Sequence, residues 1–110
     1  MVIYNKAIRD KIPEIIKNSG NSSVVKNLSD EKFLVELEKK LKEEVEEYLE
    51  NKSVEELTDI IEVINRISEL KGVSHNELEK IRQKKADERG KFNENLFLVD
   101  VKKESKPTEL

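Results

Sequence analysis

The sequence predicts a mainly α protein, an antiparallel helical bundle of about four helices. Three observations lead there. Ile, Leu and Val recur at helical spacing even though hydrophobic residues make up only 35% of the chain and charged residues 41%, which separates an amphipathic helical domain from a disordered one. Two stretches, "SVEE" from Ser53 and "SHNE" from Ser74, have the Ser-x-x-Glu form that opens helices. Gly20, Gly72 and Gly90 each stand where a helix would close. A chain of 110 residues has the size of one domain; residues 1–101 are expected to form it and 102–110 a polar tail.

In "AIRDKIPEIIKNSG", Pro13 suits the first turn of a short helix, with Ile12, Ile15 and Ile16 facing inward and Gly20 past its end. "SSVVKNLS" and "NLFLVDV" lack helical spacing and are rich in β-formers, so they are candidates for a small two-stranded sheet. A long helix should start after Ser29 or Asp30 and reach Glu50, with Leu34, Leu37, Leu41, Val45, Tyr48 and Leu49 on one stripe. After a tight turn over Asn51 to Ser53, a second helix should run to Leu70 and bury Leu57, Ile60, Ile61, Val63, Ile64 and Ile67. The last helix should stop at Gly90. Tyr48 and Phe92 read as core aromatics.

The net charge of −3 and few aromatics make nucleic acid an unlikely partner. No apolar run approaches the ~18 residues of a membrane span, and the N-terminus lacks the basic-then-apolar order of a signal peptide. A cytoplasmic protein with no membrane partner is the expectation. With no cysteine and one histidine, His75, zinc sites of the Cys/His type are excluded, and a metal would have to be a hard, oxygen-liganded cation such as Mg²⁺ or Mn²⁺.

The carboxylates supply candidates for such a site. Advancing about 100° per residue from Leu41, Leu37 falls at about 320°, Glu44 at about 300° and Glu47 at about 240°, so Glu44 and Glu47 flank the apolar stripe, whereas Glu43, Glu46 and Glu50 lie farther round. On the next helix Glu56 falls inside the aliphatic arc and Asp59 on its edge. An unpartnered carboxylate on a core-facing surface is costly. An antiparallel hairpin can bring Glu44, Glu47, Glu56 and Asp59 together, where a divalent cation would neutralise them. The bland alternatives are a solvated acidic face, a capping role for Glu56 behind Ser53, and a lysine partner for Asp59. Lys6, Arg9 and Lys11 near the start, and Arg82, Lys84, Lys85 and Arg89 near the end, are candidates for holding an anion.

"KAIRDKIPEII", "KLKEEVEEYLE", "EELTDIIEVI" and "IRQKKADERGKF" occur in the order found in MazG-like proteins. From about Lys6 to Leu98 the chain resembles this all-α nucleoside triphosphate pyrophosphohydrolase superfamily, in its phosphoribosyl-ATP pyrophosphohydrolase-like branch. The family's ExxE pair matches Glu44 and Glu47, and its ExxD pair matches Glu56 and Asp59. The resemblance implies that these four ligate Mg²⁺ and that water attacks the α-phosphate of a nucleotide substrate, releasing a monophosphate and pyrophosphate. It implies phosphate contacts from Lys6, Arg9 and Lys11 and from Lys84, Lys85 and Arg89, and a homo-oligomer, a dimer or tetramer. The competing expectation is a non-catalytic helical protein that binds nucleotides or oligomerises.

Overall fold

Among the described residues of the computed structural model there are four α-helices: α1 (Ile12–Asn18), α2 (Asp30–Asn51), α3 (Val54–Leu70) and α4 (His75–Arg89). The structure describes residues 1–102 and 106. Two compact units divide the chain, Met1–Ser74 with α1 to α3 and His75–Leu110 with α4. The tail expected over 102–110 lies, apart from Lys102 and Lys106, outside the described residues.

Local chemistry sets the ends of the helices. Ser29 caps α2 by accepting the Lys32 N–H at 3.3 Å, and Asp30 and Glu31 favour the positive end of the helix dipole. The helix stops at Lys52, which takes the left-handed conformation (φ 59°) and donates its N–H to the Tyr48 carbonyl at 2.7 Å. Ser53 then caps α3 through the Glu55 N–H at 3.2 Å. So short a connection turns α3 back antiparallel along α2, and the two helices pack on one another. At the far end of α3, Gly72 takes the left-handed conformation (φ 83°) that glycine adopts without strain. There the buried Ser68 receives the Val73 N–H on its carbonyl at 3.0 Å and donates its hydroxyl to the Val73 carbonyl at 2.8 Å.

The core of the first unit is a cluster of Ala7, Leu37 and Val63, with Phe33, Leu41, Ile67 and Leu70 packed against it. Ala7 comes from the irregular segment before α1 and closes over the α2–α3 seam.

Three expectations are corrected. No strand forms among the described residues. Val24 is fully exposed and Phe97 89% exposed, and a two-stranded ribbon with no covered face is not stable in water. Ile15 on α1 and Phe92 beyond α4 are exposed rather than buried. Val45 and Leu49 on α2, and Leu57, Ile61 and Ile64 on α3, are also exposed, Ile61 by 56%. The reason is geometric. Each helix has an apolar arc wider than one seam can cover, and an advance of about 100° per residue places these five on the flank away from Glu43 and Asp59.

Replacing Leu37 by alanine is expected to cost about 2 to 4 kcal/mol in chemical denaturation, the scale of a core leucine deletion. Lys52→Gly, which relieves a left-handed non-glycine residue, should raise stability by up to about 1 kcal/mol in the same measurement. Destabilisation by Lys52→Gly would contradict the hairpin geometry.

Candidate metal centre

Glu44 is the unusual residue of α2. It is only 6% exposed, on a helix that otherwise presents most of its charges to water. Its Oε1 lies 3.3 Å from Lys40 Nζ, one turn earlier, while its Oε2 is buried without a hydrogen-bond partner. Burial pushes the Glu44 carboxyl above its ordinary pKa, Lys40 opposes this, and the charges of Glu47 and Asp59 push it further up.

Facing it from α3 is Glu56, whose Oε2 is likewise buried and unpartnered. Its Oε1 is approached by Asn51 Nδ2 at 3.5 Å, at the outer limit of a hydrogen bond. Glu56 does not serve as the reciprocal arm of a capping box: its carboxylate turns to the cluster, and the Ser53 hydroxyl caps Glu55 N–H. One oxygen from each of Glu44, Glu56 and Asp59 lies within 4.8 Å of the others. A second group sharing Glu44 meets the same limit, made of Glu43, Glu44 and Glu47.

Cations from the N-terminal segment meet this cluster. Arg9 Nη2 stands 2.6 Å from Asp59 Oδ1, and Lys6 Nζ 3.1 Å from Glu43 Oε1. Lys40 Nζ also approaches Glu43 Oε1 at 3.7 Å. The hydrogen bond from Lys6 holds the Glu43 carboxyl below its usual pKa and raises that of the Lys6 ammonium in turn. Both ion pairs straddle the buried Ala7, so hydrophobic contact and charge together hold the segment on the hairpin.

Of the residues singled out in the sequence, Glu44, Glu56 and Asp59 thus share one point, and Glu47 meets Glu44 through the second group. Lys6 and Arg9 stand beside them as partners of Glu43 and Asp59. Lys11 is exposed immediately before α1. Lys84, Lys85 and Arg89 lie on α4 in the second unit, where Lys84 Nζ is 3.9 Å from Glu88. Helical spacing set Glu43 aside as lying farther round α2 and did not single out Lys40. Their signal was the spacing of Lys40 to Glu43 and Glu44, three and four residues on, which places opposite charges side by side on a helix.

The donors are all carboxylate oxygens, and among the described residues Glu44 Oε2 and Glu56 Oε2 are buried without a hydrogen-bond partner. This chemistry fits Mg²⁺ or Mn²⁺, hard cations that take a few carboxylates and complete their shell with water or substrate oxygens.

No family model matches the chain, and no solved structure matches it. A protein from Mycolicibacterium smegmatis, described as an uncharacterized protein, is similar: 48% identical over 40 residues, a match that spans 36% of this chain and 41% of that protein. The chain therefore covers well under half the length of that relative.

A raised carboxyl pKa in the folded state means that the unfolded chain binds fewer protons between the two pKa values, so the Glu44 contribution to stability falls as pH rises through that window. Without added metal, Glu44→Gln is therefore expected to raise Tm at about pH 8, above the ordinary carboxylate range. The gain should vanish below about pH 4, where the wild-type carboxyl is protonated in both states. A Tm difference independent of pH would show that desolvated charge is not the cause.

Proposed function

We propose that the protein is a Mg²⁺-dependent nucleotide pyrophosphohydrolase, cleaving a nucleoside triphosphate or a phosphoribosyl-ATP-like nucleotide with water to the monophosphate and pyrophosphate. The observation that carries this reading is the pair of buried, unpartnered oxygens of Glu44 and Glu56 converging with Asp59. The ExxE and ExxD spacings shared with MazG-like proteins supply the reaction class.

In this reading Glu44, Glu56 and Asp59 hold the cation, and Glu47 extends the donor set through Glu44. Bound there, Mg²⁺ or Mn²⁺ would offset charge on the substrate phosphates and on the leaving pyrophosphate. One carboxylate of the cluster takes a proton from the attacking water. Lys6, Arg9 and Lys11 contact phosphate oxygens as forked or point-charge donors. The location is the cytoplasm.

The proposed assembly is a homo-oligomer in which hairpins pair into an antiparallel four-helix bundle. Its support is the exposed flank of Val45, Leu49, Leu57, Ile61 and Ile64, an apolar strip at helical spacing of the kind a symmetric partner covers.

A second reading has its own observation. Lys6, Arg9 and Lys40 already pair with Glu43, Asp59 and Glu44, so the cluster could serve as a staple for the N-terminal segment in a non-catalytic nucleotide-binding or oligomerising protein.

The test is pyrophosphate release from a panel of nucleoside triphosphates and phosphoribosyl-ATP, with and without Mg²⁺, with identification of the nucleotide product. Metal-dependent turnover is expected. Glu56→Gln and Asp59→Asn should each lower it by more than the roughly 10- to 100-fold typical of an outer-shell change while leaving the circular dichroism spectrum unchanged. A folded Glu56→Gln variant with full turnover would remove Glu56 from the site, and a wild type inert on every substrate would favour the second reading.

A further inference from the structure

We infer that Arg9 is the resident counter-ion of the Glu44, Glu56 and Asp59 cluster, that a divalent cation displaces it from Asp59, and that the freed guanidinium then receives an anion, so that metal binds before phosphate. This rests on the metal-centre reading above.

Glu44, which shares this cluster, is 6% exposed, with Oε1 paired to Lys40 and Oε2 buried without a hydrogen-bond partner. Two cations touch the cluster's three carboxylates. Lys40 on Glu44 belongs to the same helix, four residues earlier, and is fixed by α2 itself. Arg9 on Asp59 comes from the N-terminal segment, fifty residues away in sequence. A guanidinium 2.6 Å from Asp59 Oδ1 and a divalent ion held by the same carboxylate would set like charges side by side in a partly desolvated cleft, where Coulomb repulsion is strong. One of them must leave.

Arg9 is the one able to move. Its side chain is 54% exposed and that of Asp59 39%, and half-exposed pairs are held weakly. Its backbone, in contrast, stays in place. Ala7, two residues earlier, is buried in the core, and Lys6 remains paired with Glu43. A displaced Arg9 side chain therefore stays tethered beside the cluster with its donors unpaired. That is the arrangement that binds a phosphate group through two parallel hydrogen bonds. Linkage then requires the anion to tighten the cation in turn.

The experiment compares wild type, Arg9→Gln and Lys6→Gln by calorimetric titration with Mn²⁺ alone, then with inorganic pyrophosphate under saturating Mg²⁺. The ¹⁵N signal of the Arg9 guanidinium in wild type is followed as Mg²⁺ is added. Arg9→Gln is expected to bind Mn²⁺ about two- to five-fold tighter, the scale of a half-exposed ion pair, and to bind pyrophosphate more weakly. Lys6→Gln, whose partner lies outside the three-carboxylate group, should change Mn²⁺ affinity less. The wild-type Arg9 signal should shift on metal addition. A wild type that binds Mn²⁺ while Arg9→Gln binds no tighter, an equal gain in Lys6→Gln, or an unmoved Arg9 signal at saturation would each overturn the displacement and leave the metal centre standing. Absence of Mn²⁺ binding in all three proteins would overturn both.

Discussion

The cluster of Leu37 and Val63, with Ala7 closed over them, fixes the register of α2 on α3, and the acidic site follows from that register. Glu44 is seven residues after Leu37, and Glu56 is seven residues before Val63. Seven residues are two helical turns, which return a side chain to nearly the same face. Because the helices are antiparallel, both steps lead from the core toward the Lys52 and Ser53 turn. The layer that would hold two more aliphatics holds two carboxylates instead, and Asp59, one turn on from Glu56, joins them. Any slip in register would separate Glu44 from Glu56.

That arrangement opposes folding. A carboxylate withdrawn from water without a full set of partners is destabilising, and the raised pKa of Glu44 is its direct expression. The chain offsets the cost locally, with Lys40 on Glu44 and Glu43, and from a distance, with Arg9 on Asp59 and Lys6 on Glu43. It leaves one oxygen each of Glu44 and Glu56 unanswered. Natural sequences keep such local conflicts chiefly at functional sites, and the residual demand here is for positive charge at one point.

Much of this was legible in the chain. The limits of α2 and α3 follow from Ser29 and Ser53 as caps and from Gly72 as a terminator, side-chain chemistry that operates within one turn. Glu44, Glu56 and Asp59 were legible because helical periodicity converts sequence spacing into direction. What escaped had different physics. Glu43 lies off the seam by angle, yet its side chain is long enough to meet Glu44, Glu47 and Lys6, and a wheel of backbone directions carries no reach. Ala7 is buried from an irregular segment, where no period marks the inward residue. The expected strands failed because β-branched composition records preference for a covered, pleated surface, and no such surface is offered to Val24 or Phe97.

The exposed flank bears on the site as well as on assembly. Leu57 follows Glu56 directly, and Ile60 and Ile61 follow Asp59. Hairpin pairing over Leu57 and Ile61 would therefore exclude water from the Glu56 side of the cleft, away from Asp59 and the N-terminal segment. Lower local polarity strengthens the attraction of Glu44, Glu56 and Asp59 for a divalent cation and equally the penalty for leaving them bare. Self-association and cation binding would then support each other through the same few residues. Among the described residues the buried core is Ala7, Leu37 and Val63, with Phe33, Leu41, Ile67 and Leu70 packed against it; so small a core would gain from a partner that buried its exposed aliphatics and gave its carboxylates a drier setting.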